Sequence, residues 1–490
     1  MSHLLSKSTY MRGKQCPKAL WLYKHRRDLL PPIGAQQQAI FDSGTSVGLM
    51  AQQLFPGGVD CAPPSPFEFA QSVVDTAAAI ARGERVIYEA AFMRDGVLAA
   101  LDLLVHTAEG WKAFEVKGST GVKDVYVQDA ALQYYVISGS IALADVSIVY
   151  LNNSYVKQGA VDVQQLFNRT SVLAEVLREQ AAIPARIEAL KQVVQQEQAP
   201  VVDIGPQCDA PYPCDFKPHC WLHIPERSVF ELTGATEQKW SLYQRGILKL
   251  VDIPENEKLS AAQRRQVNAW KSGEGHIQHE PLHQWLAALE YPVHHFDFET
   301  MMPSIPLYDG TRPFQQMPFQ YSLHVQSAPS APATHHEFLA DGTSDPREAL
   351  VQQLLKDIGP TGDILAYNAT FERMVLRDLA RDLPHHAPAI QQLLPRIKDL
   401  MDAFRHGWYY APQMNGKYGI KTVLPALVPT LSYKTLNVQE GGTASLRFTQ
   451  LASGTYTGNV PQLRTDLLAY CKMDTLAMVE VLGVLQQVVL

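Results

Sequence analysis

The amino-acid sequence predicts an α/β protein of several domains. Two stretches, residues 86–151 and 293–488, alternate apolar strands with amphipathic helices. Between them lie a Gln-rich helical region and a Pro-rich loop with three cysteines. The length of 490 residues and the hydrophobic content of 46% are ordinary for a globular protein of about two to four domains. We therefore divide the chain into residues 1–225, a helical connector at 226–290 and residues 291–490.

The first domain is predicted to begin with helices and to continue as a small α/β core. Amphipathic patterns indicate helices at 16–29, 36–55 and 67–82. The core then consists of a strand at 86–92, a hairpin with strands at 97–105 and 111–117, a helix at 123–138 and a strand at 146–151. Residues 161–198 have a helical pattern that Pro184 interrupts.

Two carboxylates and an ammonium are predicted to meet on the hairpin. Side chains alternate along a strand, so Glu115 and Lys117 share a face, and Asp102 on the partner strand points to the same side. A divalent cation held by both carboxylates and the Val116 carbonyl would compensate their charge, as in a metal-dependent phosphodiesterase. The simpler interpretation is a hairpin with two solvated faces.

The start of the chain carries a local cluster of positive charge. The net charge of −7 gives no general attraction to nucleic acid, but residues 7–27 contain seven Lys or Arg and no acid. Tyr10, Trp21 and Tyr23 are interleaved with these charges, which favours a groove that follows a nucleic-acid backbone over a plain solvated face. The predicted contacts are Lys7, Arg12, Lys14, Lys18, Arg26 and Arg27.

Four of the six cysteines form a candidate cluster or metal site. No signal peptide is recognisable, so we expect a cytoplasmic chain, in which cysteines indicate metal or redox chemistry rather than disulfides. Cys208, Cys214 and Cys220 lie close together in the Pro-rich loop, and Cys16 is the natural fourth ligand. Their wide spacing favours an iron–sulfur cluster over zinc, whose ligands usually come in closer pairs. The other two cysteines, Cys61 and Cys471, are expected to be core or incidental thiols.

Several features of the first domain occur together in one group of nucleases. A hairpin with Asp and Glu-x-Lys, a following helix with Gln133 and Tyr134, and one early and three late cysteines resemble the iron–sulfur RecB-type nucleases of the PD-(D/E)XK superfamily, which include the CRISPR-associated exonuclease of that type. The resemblance covers about residues 1–225. It implies a restriction-endonuclease-like α/β core with helical insertions, a [4Fe-4S] cluster and catalytic Mg²⁺ or Mn²⁺.

The same resemblance implies roles for particular residues. Asp102 and Glu115 would bind metal, Lys117 would orient the attacking water, and Gln133 would support the site. Two features depart from the family pattern. Residues 41–55 contain no metal-binding histidine, and Gln133 is followed at once by a tyrosine.

The C-terminal domain is predicted to contain a second acidic centre. The predicted elements are strands at 293–299, 320–325 and 363–367 and helices at 346–358, 369–379 and 460–488. Asp297 and Glu299 project from one face of a strand, while Phe296 and Phe298 lie on the other. Glu372 lies in the first turns of a helix. Tyr470 and Asp474 are four residues apart on one helical face. The alternative interpretation is that these acids are unrelated surface groups.

Together these motifs resemble the DnaQ-like, DEDD-type exonucleases, in the variant whose last motif is Tyr, three residues, Asp. The resemblance covers about residues 292–490 and implies a ribonuclease-H-like mixed sheet with flanking helices. It implies that two divalent metals bind to Asp297, Glu299, Glu372 and Asp474, and that Tyr470 orients the attacking water. The family normally has Asp where Glu372 stands, and Asp399 is the fallback ligand.

The whole chain resembles an uncharacterised bacterial family in which these two modules are fused. The leading hypothesis is a metal-dependent nuclease with two active centres, acting on DNA in repair or in defence against foreign nucleic acid. Two alternatives stay open: an RNA-directed exonuclease, and a nucleic-acid-binding or redox-sensing scaffold in which one or both centres are degenerate. The segment 418–429, which belongs to that family's pattern, has no predicted chemical role.

Overall fold

The chain forms two compact units in the computed structural model, which describes residues 4–65, 68–234 and 236–489. The first unit extends to His223 and includes residues 304–314, and the second contains residues 224–303 and 315–490. Both are mixed α/β structures, so the predicted multidomain α/β class is confirmed. The division into three parts stays a prediction. The predicted connector, residues 226–290, belongs to the second unit. Among the described residues, no helix is long and apolar enough to cross a membrane.

The first unit is built on a mixed seven-stranded sheet. Its strands are β1 (Leu5–Ser6), β2 (Val59–Asp60), β3 (Val86–Arg94), β4 (Val97–Thr107), β5 (Gly110–Lys117), β6 (Leu143–Leu151) and β7 (Phe167–Ser171). The order is β2-β3-β4-β5-β6-β7, and β1 also pairs with β4. β1 pairs with the first residues of β4, whereas the β5 ladder begins only at Leu103. Asp102 therefore lies on β4 between the residues that pair with β1 and those that pair with β5.

Helices cover both faces of this sheet. They are α1 (Lys7–Gln15), α2 (Pro17–His25), α3 (Ala35–Gln52), α4 (Phe69–Ala81), α5 (Asp124–Ile137), α6 (Val163–Leu166), α7 (Leu173–Glu179), α8 (Ile183–Gln195) and α9 (Lys217–Cys220). α5 contributes more residues to one core cluster than any other helix, and α3 packs against the other. Residue 67, where one helix was predicted to begin, lies outside the described residues.

Two predictions for the first unit were wrong in detail. A single helix was predicted at 16–29, but α2 ends at His25, Arg26 leaves the helical conformation, and residues 27–29 form a separate 3-10 turn. Residues 161–198 were predicted to be helical throughout, but β7 pairs with β6 there. Pro184 stands in the first turn of α8 rather than interrupting a helix.

The second unit contains a five-stranded sheet with β9 at its centre. The strands of this unit are β8 (His276–Ile277), β9 (Val293–Met301), β10 (Met317–Gln326), β11 (Thr334–Leu339), β12 (Ile364–Ala366), β13 (Ile397–Asp399) and β14 (Tyr409–Tyr410). The large sheet has the order β11-β10-β9-β12-β13, and β8 pairs separately with β14. β9 is antiparallel to β10 and parallel to β12, so the sheet is mixed, as predicted.

Helices pack on both faces of the five-stranded sheet. The helices of this unit are α10 (Thr236–Gln244), α11 (Ala261–Ser272), α12 (His279–Ala287), α13 (Arg347–Ile358), α14 (Thr370–Asp382), α15 (Ala387–Leu393), α16 (Asp402–Arg405), α17 (Ile420–Leu427), α18 (Gly441–Ala452) and α19 (Val460–Val489). Phe296 and Phe298 join a core with α13 and α14. α19 packs against β9 and β10 and carries Cys471 to within 3.9 Å of the Asp297 carboxylate.

Candidate metal centres and cysteine cluster

Strand β9 presents two carboxylates to helix α19. One oxygen of Asp297, one of Glu299 and the sulfur of Cys471 lie within 4.8 Å of one another, and Glu299 is 6% exposed. The aromatic neighbours Phe296 and Phe298 point into the apolar core on the other face, as the strand alternation predicted. The strand therefore holds an acidic pair at the buried boundary between sheet and helix.

Glu372 and Asp474 complete a quartet with this pair. The pKa of Asp297 is raised well above its usual range by burial and then by repulsion from Asp474, Glu299 and Glu372, so Asp297 is influenced by each of the other three charges. Burial raises the pKa of Glu372 to about 8 and that of Asp474 to about 6. Within the described residues, the buried Oε2 of Glu372 has no hydrogen-bond partner. The four predicted acids thus form one buried, under-compensated centre, which we call the quartet.

Asp399, the predicted fallback ligand, is already engaged. Its Oδ1 accepts the backbone N–H groups of Asn368, at 2.9 Å, and Met401, at 3.0 Å. Its Oδ2 accepts a hydrogen bond from Arg405 at 2.6 Å. Asn368 has a φ of +66°, a conformation that asparagine tolerates better than most residues. Asp399 therefore fastens the turn after β12 to β13, close enough to raise the pKa of Glu372.

Two residues beside the quartet were not predicted from the sequence. The hydroxyl of Tyr433 donates to Asp474 at 2.7 Å. The ammonium of Lys421 donates to the hydroxyl of Tyr470 at 3.0 Å. Burial raises the pKa of both tyrosines, so both phenols remain protonated near neutral pH. The only signal for Lys421 was its position in the segment 418–429, to which no chemical role was assigned.

The hairpin residues of the first unit also converge. Glu115 is 3% exposed, and its Oε1 accepts from Lys117 at 2.9 Å while its Oε2 accepts from Gln133 at 2.5 Å. The Val116 N–H donates to Asp102 at 2.6 Å. Burial and the charge of Glu115 raise the pKa of Asp102 well above its usual range. All four predicted site residues thus lie together in what we call the hairpin centre.

Lys7 belongs to the hairpin centre as well. Its ammonium lies 2.5 Å from Oε1 of Glu115, the oxygen that Lys117 also contacts. Ser6 caps α1 through a capping box, and β1 runs beside β4, which together bring Lys7 to the sheet. Although burial opposes ionisation, Lys117 and Lys7 hold the pKa of Glu115 well below its usual range. Lys7 was predicted as a nucleic-acid contact, and no sequence pattern linked it to Glu115.

Two further acids border the hairpin centre. Asp129 on α5 accepts from Lys117 at 2.8 Å. Glu89 on β3 stands opposite Asp102, where the β3–β4 register omits one pair, and has a φ of +51°. Burial, with the charges of Asp60 and Glu115, raises the pKa of Glu89 to about 7. A strained non-glycine residue inside a strand leaves no sequence signal, so Glu89 was not predicted.

The four predicted cluster cysteines gather at the junction of α1 and α2. Cys16, Cys214 and Cys220 pack around the buried Phe216, and the Cys214 N–H donates to the Cys208 carbonyl at 2.8 Å. Burial raises the pKa of Cys214 and Cys220, with smaller contributions from the other two thiols. All six cysteines are free thiols.

The spacing of these sulfurs bears on the cofactor they would hold. Among the described residues, the groups whose ligand atoms all lie within 4.8 Å of one another include none of the four cluster cysteines. Four thiolates on a single zinc, each 2.3 Å from it, would lie about 3.8 Å apart. The choice between an iron–sulfur cluster and a single zinc ion at these thiols stays a prediction.

The remaining predicted nucleic-acid contacts lie on α1, on α2 and immediately after α2. Arg12 pairs with Asp215 at 2.6 Å, and the guanidinium groups of Arg12 and Arg27 lie 4.6 and 4.5 Å from the centre of the Tyr23 ring. Arg26 pairs with Asp28. Burial, with the charge of Arg186, lowers the pKa of Lys14. Lys18 lies close enough to Cys220 for its charge to oppose the rise in the pKa of that thiol.

Comparison with known proteins gives two matches. Residues 294–419 match a family described as a domain of unknown function, DUF2779, a stretch that includes three of the four quartet positions up to Glu372 but not Lys421, Tyr470 or Asp474. An uncharacterised protein, the MG366 homologue of Mycoplasma pneumoniae (strain ATCC 29342 / M129 / Subtype 1), is 26% identical over 217 residues. That match covers 40% of this chain and 32% of the relative, so the chain spans about a third of the relative's length.

Proposed function

We propose that the chain is a metal-dependent nuclease with two centres, the quartet and the hairpin centre. The observation that carries the proposal is the quartet itself. Three buried carboxylates, those of Glu299, Glu372 and Asp474, lie beside Asp297, whose pKa is raised by burial and by repulsion from all three, and Oε2 of Glu372 lacks a partner among the described residues. Buried charges of one sign are costly unless a cation is shared, and carboxylate oxygens are the ligands that Mg²⁺ and Mn²⁺ prefer.

The chemistry at the quartet would follow from its neighbours. Divalent ions held by Asp297, Glu299, Glu372 and Asp474 would supply charge stabilisation to the phosphoryl group during in-line attack by water. Tyr470 stays protonated and lies beside Asp474, so its hydroxyl is suited to orient that water by donating a hydrogen bond. These features support a DEDD-type, ribonuclease-H-like interpretation of the second unit, as does the mixed sheet with β9 at its centre.

The hairpin centre supports a RecB-type interpretation of the first unit. Asp102 and Glu115 would hold the metal, and Lys117 would stabilise developing negative charge. Gln133 fixes Glu115 and also donates to the Ala100 carbonyl, which holds its amide in place. The four cysteines would carry the cluster that ties α2 to residues 208–220. DNA is the proposed substrate, with RNA as the alternative polymer.

The experiment is digestion of end-labelled single- and double-stranded DNA and RNA with Mg²⁺ or Mn²⁺. The wild type, Lys117→Ala, Asp297→Asn and the double variant are compared, with Lys112→Ala on the same strand as Lys117 as the matched control. We expect each single variant to lose one activity and the double variant to lose all cleavage, while Lys112→Ala keeps both. Full cleavage by the double variant would overturn the proposal.

A second candidate is a nucleic-acid-binding scaffold in which the hairpin centre is inactive. One observation favours it: Lys7 and Lys117 already compensate Glu115, so this centre needs a metal less than the quartet does. Under this alternative, Asp297→Asn alone abolishes cleavage while Lys117→Ala leaves it unchanged.

A further inference from the structure

The segment 418–429 delivers a lysine to the quartet. Helix α17 begins at Ile420, so Lys421 lies in its first turn, and α17 packs against α19. The ammonium of Lys421 donates to the Gln439 carbonyl at 2.7 Å and to the Tyr470 hydroxyl at 3.0 Å. It also lies 5.3 and 5.0 Å from the ring centres of Tyr433 and Tyr470. Two hydrogen-bond acceptors and two aromatic rings thus fix the head of a side chain that is otherwise exposed.

The direction of these hydrogen bonds follows from the chemistry of the groups. An ammonium has only donors, so the oxygen of Tyr470 must accept from Lys421. The single phenolic proton of Tyr470 is then directed away from Lys421 and is left to be donated, whereas Asp474 accepts from Tyr433. Lys421 therefore sets the direction of the Tyr470 proton toward the quartet.

The charge of Lys421 is placed at one corner of the quartet. It acts on both Glu299 and Asp474, whereas Glu372 is influenced instead by Asp399 and Arg373. Because Tyr470 is 3% exposed and Asp474 is 8% exposed, these interactions are screened less than on an open surface. The lysine is thus a fixed positive group on the side of the quartet where the tyrosine hydroxyl lies.

We propose that Lys421 is a positioning residue of the quartet, which holds Tyr470 as a hydrogen-bond donor directed toward the quartet; this inference rests on the function proposed above. The lysine acts through the tyrosine rather than by binding the nucleic acid. Its removal frees the Tyr470 oxygen to rotate its proton away from the attacking water. The turnover number therefore depends on Lys421, and the affinity for substrate does not.

The test measures kcat and KM for quartet-dependent cleavage in Lys421→Met, Lys421→Arg, Tyr470→Phe and the Lys421→Met/Tyr470→Phe pair. We expect Lys421→Met to lower kcat by about 10²-fold while KM changes by less than about threefold, as for loss of precise orientation. Lys421→Arg, which keeps charge and donor, should recover most of the rate. Adding Lys421→Met to Tyr470→Phe should cost nothing further, since the lysine acts through the lost hydroxyl.

The control is Lys417→Met, which removes an exposed lysine four residues upstream and should retain wild-type kinetics. A wild-type kcat in Lys421→Met, a rise in KM alone, or additive losses in the double variant would each overturn the inference. Asp297→Asn is measured beside these variants. If the wild type cleaves no better than Asp297→Asn, the proposed function fails; if Asp297→Asn is inactive while Lys421→Met is fully active, only the role of Lys421 fails.

Discussion

The ammonium of Lys7 lies 2.5 Å from Oε1 of Glu115, although 108 residues separate the two in the sequence. Lys117 contacts the same oxygen at 2.9 Å, so one buried carboxylate is compensated by two lysines. A buried charge that loses its only partner is strongly destabilised, whereas one that keeps a second partner is not. Either lysine alone should therefore be enough to compensate the buried charge of Glu115.

This redundancy predicts a cost that is not additive. Lys7→Met and Lys117→Met should each lower the free energy of unfolding by about 1 kcal/mol, the worth of one hydrogen bond. The double variant should lose about 3–5 kcal/mol, because Glu115 is then buried without a cation. Urea unfolding measures these values, and Lys112→Met, at the exposed start of β5, is the control. Costs that simply add would contradict the shared compensation.

The arrangement of cysteines predicts an iron-containing protein. Protein purified without oxygen should be brown and contain about four iron atoms per chain, as a [4Fe-4S] cluster requires. Cys214→Ala should lose the visible absorbance, because it removes one of the four predicted cluster ligands. Cys61→Ala removes a buried thiol elsewhere and should keep the colour. A colourless wild type with one zinc per chain would refute the prediction.

Sequence patterns predicted those parts of both centres that local periodicity controls. Strand alternation was enough to bring Glu115 and Lys117 to one face, and helical periodicity placed Tyr470 beside Asp474. Contacts that depend on tertiary packing had no such signal. Lys7 reaches Glu115 only because β1 runs beside β4. The orientation of Glu89 depends on a strained backbone conformation, which local sequence patterns do not reveal.

Short or polar elements were missed for a similar reason. Strand β11 reads Thr-His-His-Glu-Phe-Leu and is mostly solvent-facing, so it lacks the apolar alternation that identifies a strand. Strand β13 has three residues and is defined by its pairing with β12. The position of Asp399 at the end of β13, and hence its role as an anchor, could not be predicted without that pairing.

Because of the quartet, the stability of the metal-free protein should fall as the pH rises. Its carboxylates have raised pKa values, about 6 for Asp474 and about 8 for Glu372, so the folded state favours their neutral forms. Stability is then highest below the unfolded pKa of about 4 and is lost as pH rises through the folded values. In EDTA, Tm should drop by at least about 5 °C from pH 4.5 to pH 8, after allowance for the rest of the chain.

Removing one quartet charge should reverse this loss. At pH 8 in EDTA, Asp297→Asn should unfold at a higher temperature than the wild type, because repulsion within the quartet decreases. Mn²⁺ should stabilise the wild type but much less the variant. Glu480→Gln, which removes an exposed carboxylate later on α19, is the control and should change neither value. A lower Tm for Asp297→Asn in EDTA would contradict the prediction.

Removing the charge of Asp399 should lower stability, unlike removing a quartet charge, although Asp399 lies beside the quartet. Its carboxylate accepts two backbone N–H groups and the Arg405 guanidinium, so its charge is stabilising. Asp399→Asn weakens three charge-assisted hydrogen bonds, and we expect a loss of about 3 kcal/mol in EDTA and in Mn²⁺ alike. Asp402→Asn, whose carboxylate also pairs with Arg405 but is exposed to solvent, should cost less than about 1 kcal/mol. If Asp399→Asn instead raised stability in EDTA and weakened the response to Mn²⁺, Asp399 would be a metal ligand, because only removal of a ligand relieves repulsion and lowers metal affinity together.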